Sequence, residues 1–92
     1  MQPSELDSFD LLMQLDEESG ELVQAISKLI RKEMGSNPTP VSFDQCLENL
    51  IEEIADVSLV SDTLLEHWKV PSDDFELIKE RKKSRWCERL NQ

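Results

Sequence analysis

Acidic residues three apart on a helix share a face, and four such pairs occur in this chain: Asp7/Asp10, Glu18/Glu21, Glu53/Asp56 and Asp73/Glu76. With 20 acidic residues among 92, chance alone supplies about four, so placement rather than number decides which matter. Glu18 and Glu21 border a stripe containing Leu15 and Leu22, and Glu53 and Asp56 border one containing Leu50 and Ile54. If the two stripes pack together the four carboxylates meet, and their mutual repulsion is costly unless a cation neutralises them. Oxygen-only ligation with no nearby His or Cys favours Mg²⁺ or Mn²⁺ over zinc, and Mg²⁺ normally keeps positions open for water and substrate phosphates.

The elements that must position these groups are helices. Ser4, with Asp7 as a weak capping box, predicts a first helix over about 5–34, with a bend near Gly20 or an early break as options. Met34, Gly35, Pro38 and Pro40 stop it and open a loop. Ser42 or Asp44 caps a second helix to about Trp68, and Val70-Pro71-Ser72 breaks it before a third over about 73–90. The apolar stripe of the first helix is Leu11, Leu12, Leu15, Leu22, Ile26, Leu29 and Ile30. That of the second is Leu47, Leu50, Ile51, Ile54, Val57, Leu64, Leu65 and Trp68. The expected fold is all-α: an antiparallel helical hairpin plus a C-terminal helix. Its thin core predicts a homo-oligomer, an assembled four-helix-type bundle.

Length and composition narrow the function. The 92 residues predict a single domain over 1–92, and 38% apolar, 33% charged residues with two Gly and five aromatics disfavour a strand-rich fold. The net charge of −10 repels a phosphate backbone, which argues against nucleic acid as a partner. That charge is uneven: residues 1–78 hold 18 acids and 4 bases (net −14), residues 79–92 hold 6 bases and 2 acids (net +4). Cys46 and Cys87 with one histidine cannot furnish a structural zinc site, and a reduced, cytoplasmic chain is expected. The acidic amino terminus is unlike a secretory signal, and no apolar run is long enough to span a membrane. Gly20 and Gly35 alone cannot write a P-loop or a dinucleotide fingerprint. A di-iron carboxylate bundle needs two Glu-x-x-His units, and Leu64 sits three before His67, to which no catalytic role is assigned.

EESGELVQAI (residues 17–26) and EEIADV (residues 52–57) resemble the paired EExxE and ExxD motifs of the MazG-like all-α nucleoside triphosphate pyrophosphohydrolases, over about residues 12–90. The linked package is Glu17, Glu18, Gly20, Glu21, Leu22 and Ala25, then Glu53, Ala55 and Asp56; the 31 residues between Glu21 and Glu53 are at the long end for such proteins. The resemblance implies that Glu18, Glu21, Glu53 and Asp56 bind Mg²⁺, that a nucleoside triphosphate is cleaved to the monophosphate and pyrophosphate, and that the chain forms dimers or tetramers. Glu17, one turn before Glu21, is placed to orient or deprotonate the attacking water. Positive partners for the phosphates come from Lys28, two turns from Glu21, and from the Lys-x-x-Arg spacing of Lys82 and Arg85 in the last helix. Trp68, Trp86, Phe75 and Asn49 are candidates for contact with a base.

Two alternatives stay open. Phosphoribosyl-ATP pyrophosphatase shares the carboxylate pattern but usually carries a His soon after the ExxD motif, where this chain has none until His67. A non-enzymatic acidic oligomerisation or regulatory module would have merely solubilising carboxylates and no response to Mg²⁺.

Overall fold

The computed structural model of the chain describes residues 1–35 and 41–92, so Pro38 and Pro40 lie outside the described residues. A 3-10 turn at Pro3–Glu5 is followed by α1 (Ser8–Glu33), α2 (Phe43–His67) and α3 (Ser72–Leu90), with no strand among the described residues. The all-helical hairpin plus C-terminal helix read from the sequence is therefore present.

The start of α1 differs from expectation. Its N-cap is Asp7, whose side chain accepts from the Phe9 N–H at 2.8 Å, and not Ser4. Pro3 nucleates a separate turn, the Glu5 carboxylate accepts the Gln2 N–H at 2.7 Å, and Leu6 is extended (φ −66, ψ 156), so helical hydrogen bonding is broken before Asp7 restarts it. α1 then runs uninterrupted through Gly20. It ends where Gly35, at φ 67, donates its N–H to the Lys32 carbonyl. Of the two candidate caps for α2, Ser42 is the one used, its hydroxyl accepting the Gln45 N–H at 3.2 Å. At the other end Lys69 adopts φ 56, and the Lys69→Glu66 and Val70→Leu65 backbone bonds form a Schellman motif without glycine.

α1 and α2 pack on each other along a narrow seam. Its buried and half-buried residues are spaced alternately by three and four: Leu11, Leu15, Glu18, Leu22, Ala25 and Leu29 on α1, and Cys46, Leu50, Glu53, Val57, Val60 and Leu64 on α2. The apolar stripes read from the sequence are wider than this. Leu12, Ile26 and Ile30 on α1, and Leu47, Ile51, Ile54 and Trp68 on α2, are exposed, Ile51 to 58%. A two-helix contact covers about one position per turn, so the outer half of each stripe has nothing to pack on within one copy.

At 100° per residue the leftovers sort to two sides of the hairpin. One side is apolar, with Leu12, Val23, Ile26 and Ile30 from α1 and Leu47, Ile51 and Ile54 from α2; the opposite side carries Glu17 and Glu21 from α1 and Glu52 and Asp56 from α2. Antiparallel pairing puts like flanks together, because the sense of helical rotation reverses along with the chain direction.

No Cα of α3 lies within 8 Å of α1 or α2. The elbow between α2 and α3 is lined by Ser58, Ser61 and Leu65 together with Val70, Phe75 and Lys79, which places the departure of α3 on the apolar side. The molecule measures 45 × 43 × 18 Å. A hairpin of this length accounts for about 39 Å along one axis, so the second long dimension is reached only with α3 standing steeply away from it.

Candidate metal centre

Glu18 and Glu53 occupy seam positions, where the spacing calls for apolar residues. Each leaves one carboxylate oxygen, Oε2, buried with no hydrogen-bond partner. An unsatisfied buried acceptor costs about 1–3 kcal/mol, and more when charged. In a hairpin whose buried apolar residues among those described are Leu11, Ala25, Cys46 and Leu64, two such losses are large.

Asp56, one turn beyond Glu53, joins them. One oxygen each from Glu18, Glu53 and Asp56 falls within 4.8 Å of the others. An octahedral Mg²⁺ spaces its ligand oxygens by about 2.9–4.2 Å, so small side-chain rotations close this triad on an ion. The donor set contains no His or Cys, as a hard divalent cation prefers.

Glu21, the fourth residue expected here, points to the exposed acidic side and is not one of the three converging oxygens. It is electrostatically part of the cluster all the same. The Glu18 carboxylate, and next that of Glu53, push the Glu21 carboxyl above its ordinary value, with partial desolvation, a hydrogen bond that the protonated Glu21 carboxyl donates to Glu18 and the Glu17 charge adding smaller pushes in the same direction. The remaining oxygen of Glu18, Oε1, accepts from Gln14 Nε2 at 2.8 Å. Gln14 is a positioning residue that motif reading passed over; its position four before Glu18 was the available signal.

The other expected residues are spread more widely. Glu17 and Lys28 are exposed on α1, Glu17 on the acidic side. Lys82 and Arg85 are exposed on α3, in surface concavities lined by α3 residues alone. One copy of the chain thus assembles the carboxylates and leaves the cations of α3 in a different region. Of the residues considered for base contact, Asn49 is half-buried beside the seam one turn before Glu53, Phe75 is half-buried at the elbow with Lys79 Nζ 5.4 Å from its ring centre, and Trp68 and Trp86 are exposed.

His67 has a structural job: its half-buried ring donates from Nδ1 to the Ser4 carbonyl at 2.8 Å, tying the N-terminal turn to the end of α2. A carbonyl only accepts, so this bond fixes the proton on Nδ1. Cys46 is a buried free thiol and Cys87 an exposed one, and neither belongs to the carboxylate group. Among the described residues, no helix is long and apolar enough to cross a membrane. In comparisons with known proteins, no family model, curated protein or solved structure matches the chain.

Proposed function

We propose that the chain is a Mg²⁺-dependent nucleoside triphosphate pyrophosphohydrolase that cleaves a (d)NTP to the (d)NMP and pyrophosphate, acting as a homodimer or homotetramer in cleansing the nucleotide pool. One observation carries the reading: two carboxylates, Glu18 and Glu53, hold seam positions with orphaned oxygens and converge with Asp56. A helix pair built for stability alone would place leucines there. The linked motifs of residues 17–26 and 52–57 point to the same chemistry.

Within this reading Glu18, Glu53 and Asp56 hold the ion, with Glu21 at its outer edge. Bound there, Mg²⁺ supplies neutralising charge for the triphosphate and polarises water for attack. Water adds across the α–β phosphoanhydride: its oxygen bonds to phosphorus, the bridging oxygen leaves with the pyrophosphate, and the displaced proton needs an acceptor. Glu17, on the same side as Glu21, is that acceptor. Lys28, Lys82 and Arg85 are the cations assigned to the phosphates, Lys82 and Arg85 by way of the assembly. The exposed apolar side of the hairpin is the surface on which a second copy completes a four-helix bundle.

The test is pyrophosphate release from a mixed dNTP pool with and without Mg²⁺, beside phosphoribosyl-ATP as competing substrate. Release that needs Mg²⁺ and disappears in Glu53→Ala and Asp56→Ala supports the proposal. A thermal melt unmoved by Mg²⁺ would instead assign the carboxylates to a solubilising surface.

A further inference from the structure

The two oxygens of Glu18 are held differently. Oε1 accepts from Gln14 Nε2 at 2.8 Å, while Oε2 is buried without a partner. A carboxylate only accepts, so the Gln14 amide turns its nitrogen, and not its oxygen, toward Glu18. Gln14 precedes Glu18 by one helical turn and lies about 40° round α1 toward the acidic side, at the exposed edge of the seam.

This pairing sorts the oxygens by task. To bind an ion through both oxygens, a carboxylate must turn its open fork toward it. With Oε1 engaged by Gln14, Glu18 meets an ion in the seam through Oε2 alone. Glu18, Glu53 and Asp56 then supply one oxygen each, and water and phosphate take the remaining octahedral positions. That count suits Mg²⁺, which demands near-octahedral geometry at about 2.0–2.1 Å and usually keeps several waters. Ca²⁺ takes about six to eight oxygens at about 2.3–2.6 Å and gains the extra ones where a carboxylate binds through both oxygens. The residue type at position 14 fits the same task. A lysine there would hold Oε1 equally well but would offset the negative charge that draws a cation in, whereas an amide donates without charge.

We propose that Gln14 sets the ion preference of the centre: by holding Oε1 of Glu18 it keeps that carboxylate to one-oxygen ligation and so favours Mg²⁺ over Ca²⁺. Gln14 is a positioning residue, acting through Glu18 and not on the ion itself. This role rests on the metal centre proposed above and is independent of what the centre hydrolyses.

Metal binding alone therefore tests it. The full-length chain is loaded with Mn²⁺, whose bound and free forms differ in their electron paramagnetic resonance spectra, and the Mn²⁺ is displaced by Mg²⁺ or by Ca²⁺ without nucleotide. The ratio of the two displacing affinities reads the preference. Gln14→Met keeps the length and helix propensity of the side chain and removes the donor, and residue 14 is exposed, so the fold is expected to survive. Its Mg²⁺-over-Ca²⁺ ratio is expected to fall by about 10-fold, as loss of a ligand's hydrogen-bonded support commonly costs. Gln14→Lys restores a donor together with a repelling charge, so both affinities fall and the ratio stays near that of wild type. An unchanged ratio in Gln14→Met overturns the proposal and leaves Gln14 as a helix-surface partner of Glu18. A Gln14→Lys ratio that falls as far as that of Gln14→Met overturns it as well, because the donor is then not what matters. A wild type that binds none of the three ions overturns the metal centre itself, a result distinct from either of these.

Discussion

The hairpin and α3 are nearly inverse in design. The hairpin has an internal seam and gives up two of its positions to carboxylates; α3 has no seam and gathers its cations on its apolar face. The hairpin is held by its own packing and destabilised by its own charge, whereas α3 sets Lys82, Arg85 and Arg89 at repelling i, i+3 and i, i+4 spacings and is short of contacts. On the function proposed above, the contrast separates chemistry from assembly: the packed region holds unfavourable charge that a bound cation would relieve, and the unpacked region exposes surface that a second copy would cover.

Core truncation gives the largest expected difference between them. Leu64 is 4% exposed in the seam, and Leu64→Ala is expected to cost about 2–5 kcal/mol in a denaturant titration. Leu77 is 52% exposed on α3, and Leu77→Ala should fall within about 0.5 kcal/mol. Equal losses would mean that Leu77 is buried in the assembled protein, on the opposite side of α3 from Trp86.

Next is the response to magnesium. At about 100-fold excess over Kd, a ligand bound only by the native state adds about 2.7 kcal/mol and raises the melting temperature accordingly. Glu18→Gln and Glu53→Gln should abolish that rise while raising the melting temperature of the metal-free protein, because each removes a buried charge with an orphaned oxygen. Either change should lower pyrophosphate release by about 100-fold or more. Lys82→Ala with Arg85→Ala should leave the magnesium-dependent melt intact and raise KM.

Gly20 tests whether anything approaches the outer face of α1. A Cβ built there meets no atom within 4 Å, so Gly20→Ala is expected to stabilise the chain by about 1 kcal/mol. Stabilisation with lost turnover would show that substrate or a second copy comes close to that backbone. The smallest effect is a pH dependence. Glu21 binds its proton more readily in the folded state than in the unfolded chain, so the associated stability is fully present below its ordinary value of 4.5 and is lost as pH rises through the raised folded value. The metal-free melting temperature should decline over that window, and Glu21→Gln or saturating Mg²⁺ should flatten the decline.

Much of this was legible in the sequence, for local reasons. Gly35, Ser42 and Pro71 punctuate the chain by their own backbone chemistry, and the helices fall within a few residues of where those signals put them. The Glu53/Asp56 pair with Glu18 was legible because i, i+3 spacing and the flanking leucines fix a face. Three features were not. Asp7 displaced Ser4 as cap because Pro3 and Glu5 closed a turn of their own, a competition between equally good capping residues that propensity does not rank. The seam proved narrower than the apolar stripes, since a single contact between two helices covers only part of each stripe. Glu21 stands apart from Glu18, Glu53 and Asp56 although Asp56 lies as far round its own helix from the seam, so three-residue spacing alone does not tell which of the two outer carboxylates turns inward.

The Lys69 joint has one more consequence. A left-handed residue locked by two backbone hydrogen bonds and followed by Val70-Pro71 is a stiff bracket with few torsions left to turn. Every copy therefore holds out its last helix at the same angle. The corner thus sets the direction of the whole helix, so where α3 offers its cations is decided by the backbone conformation of residues that are no part of it.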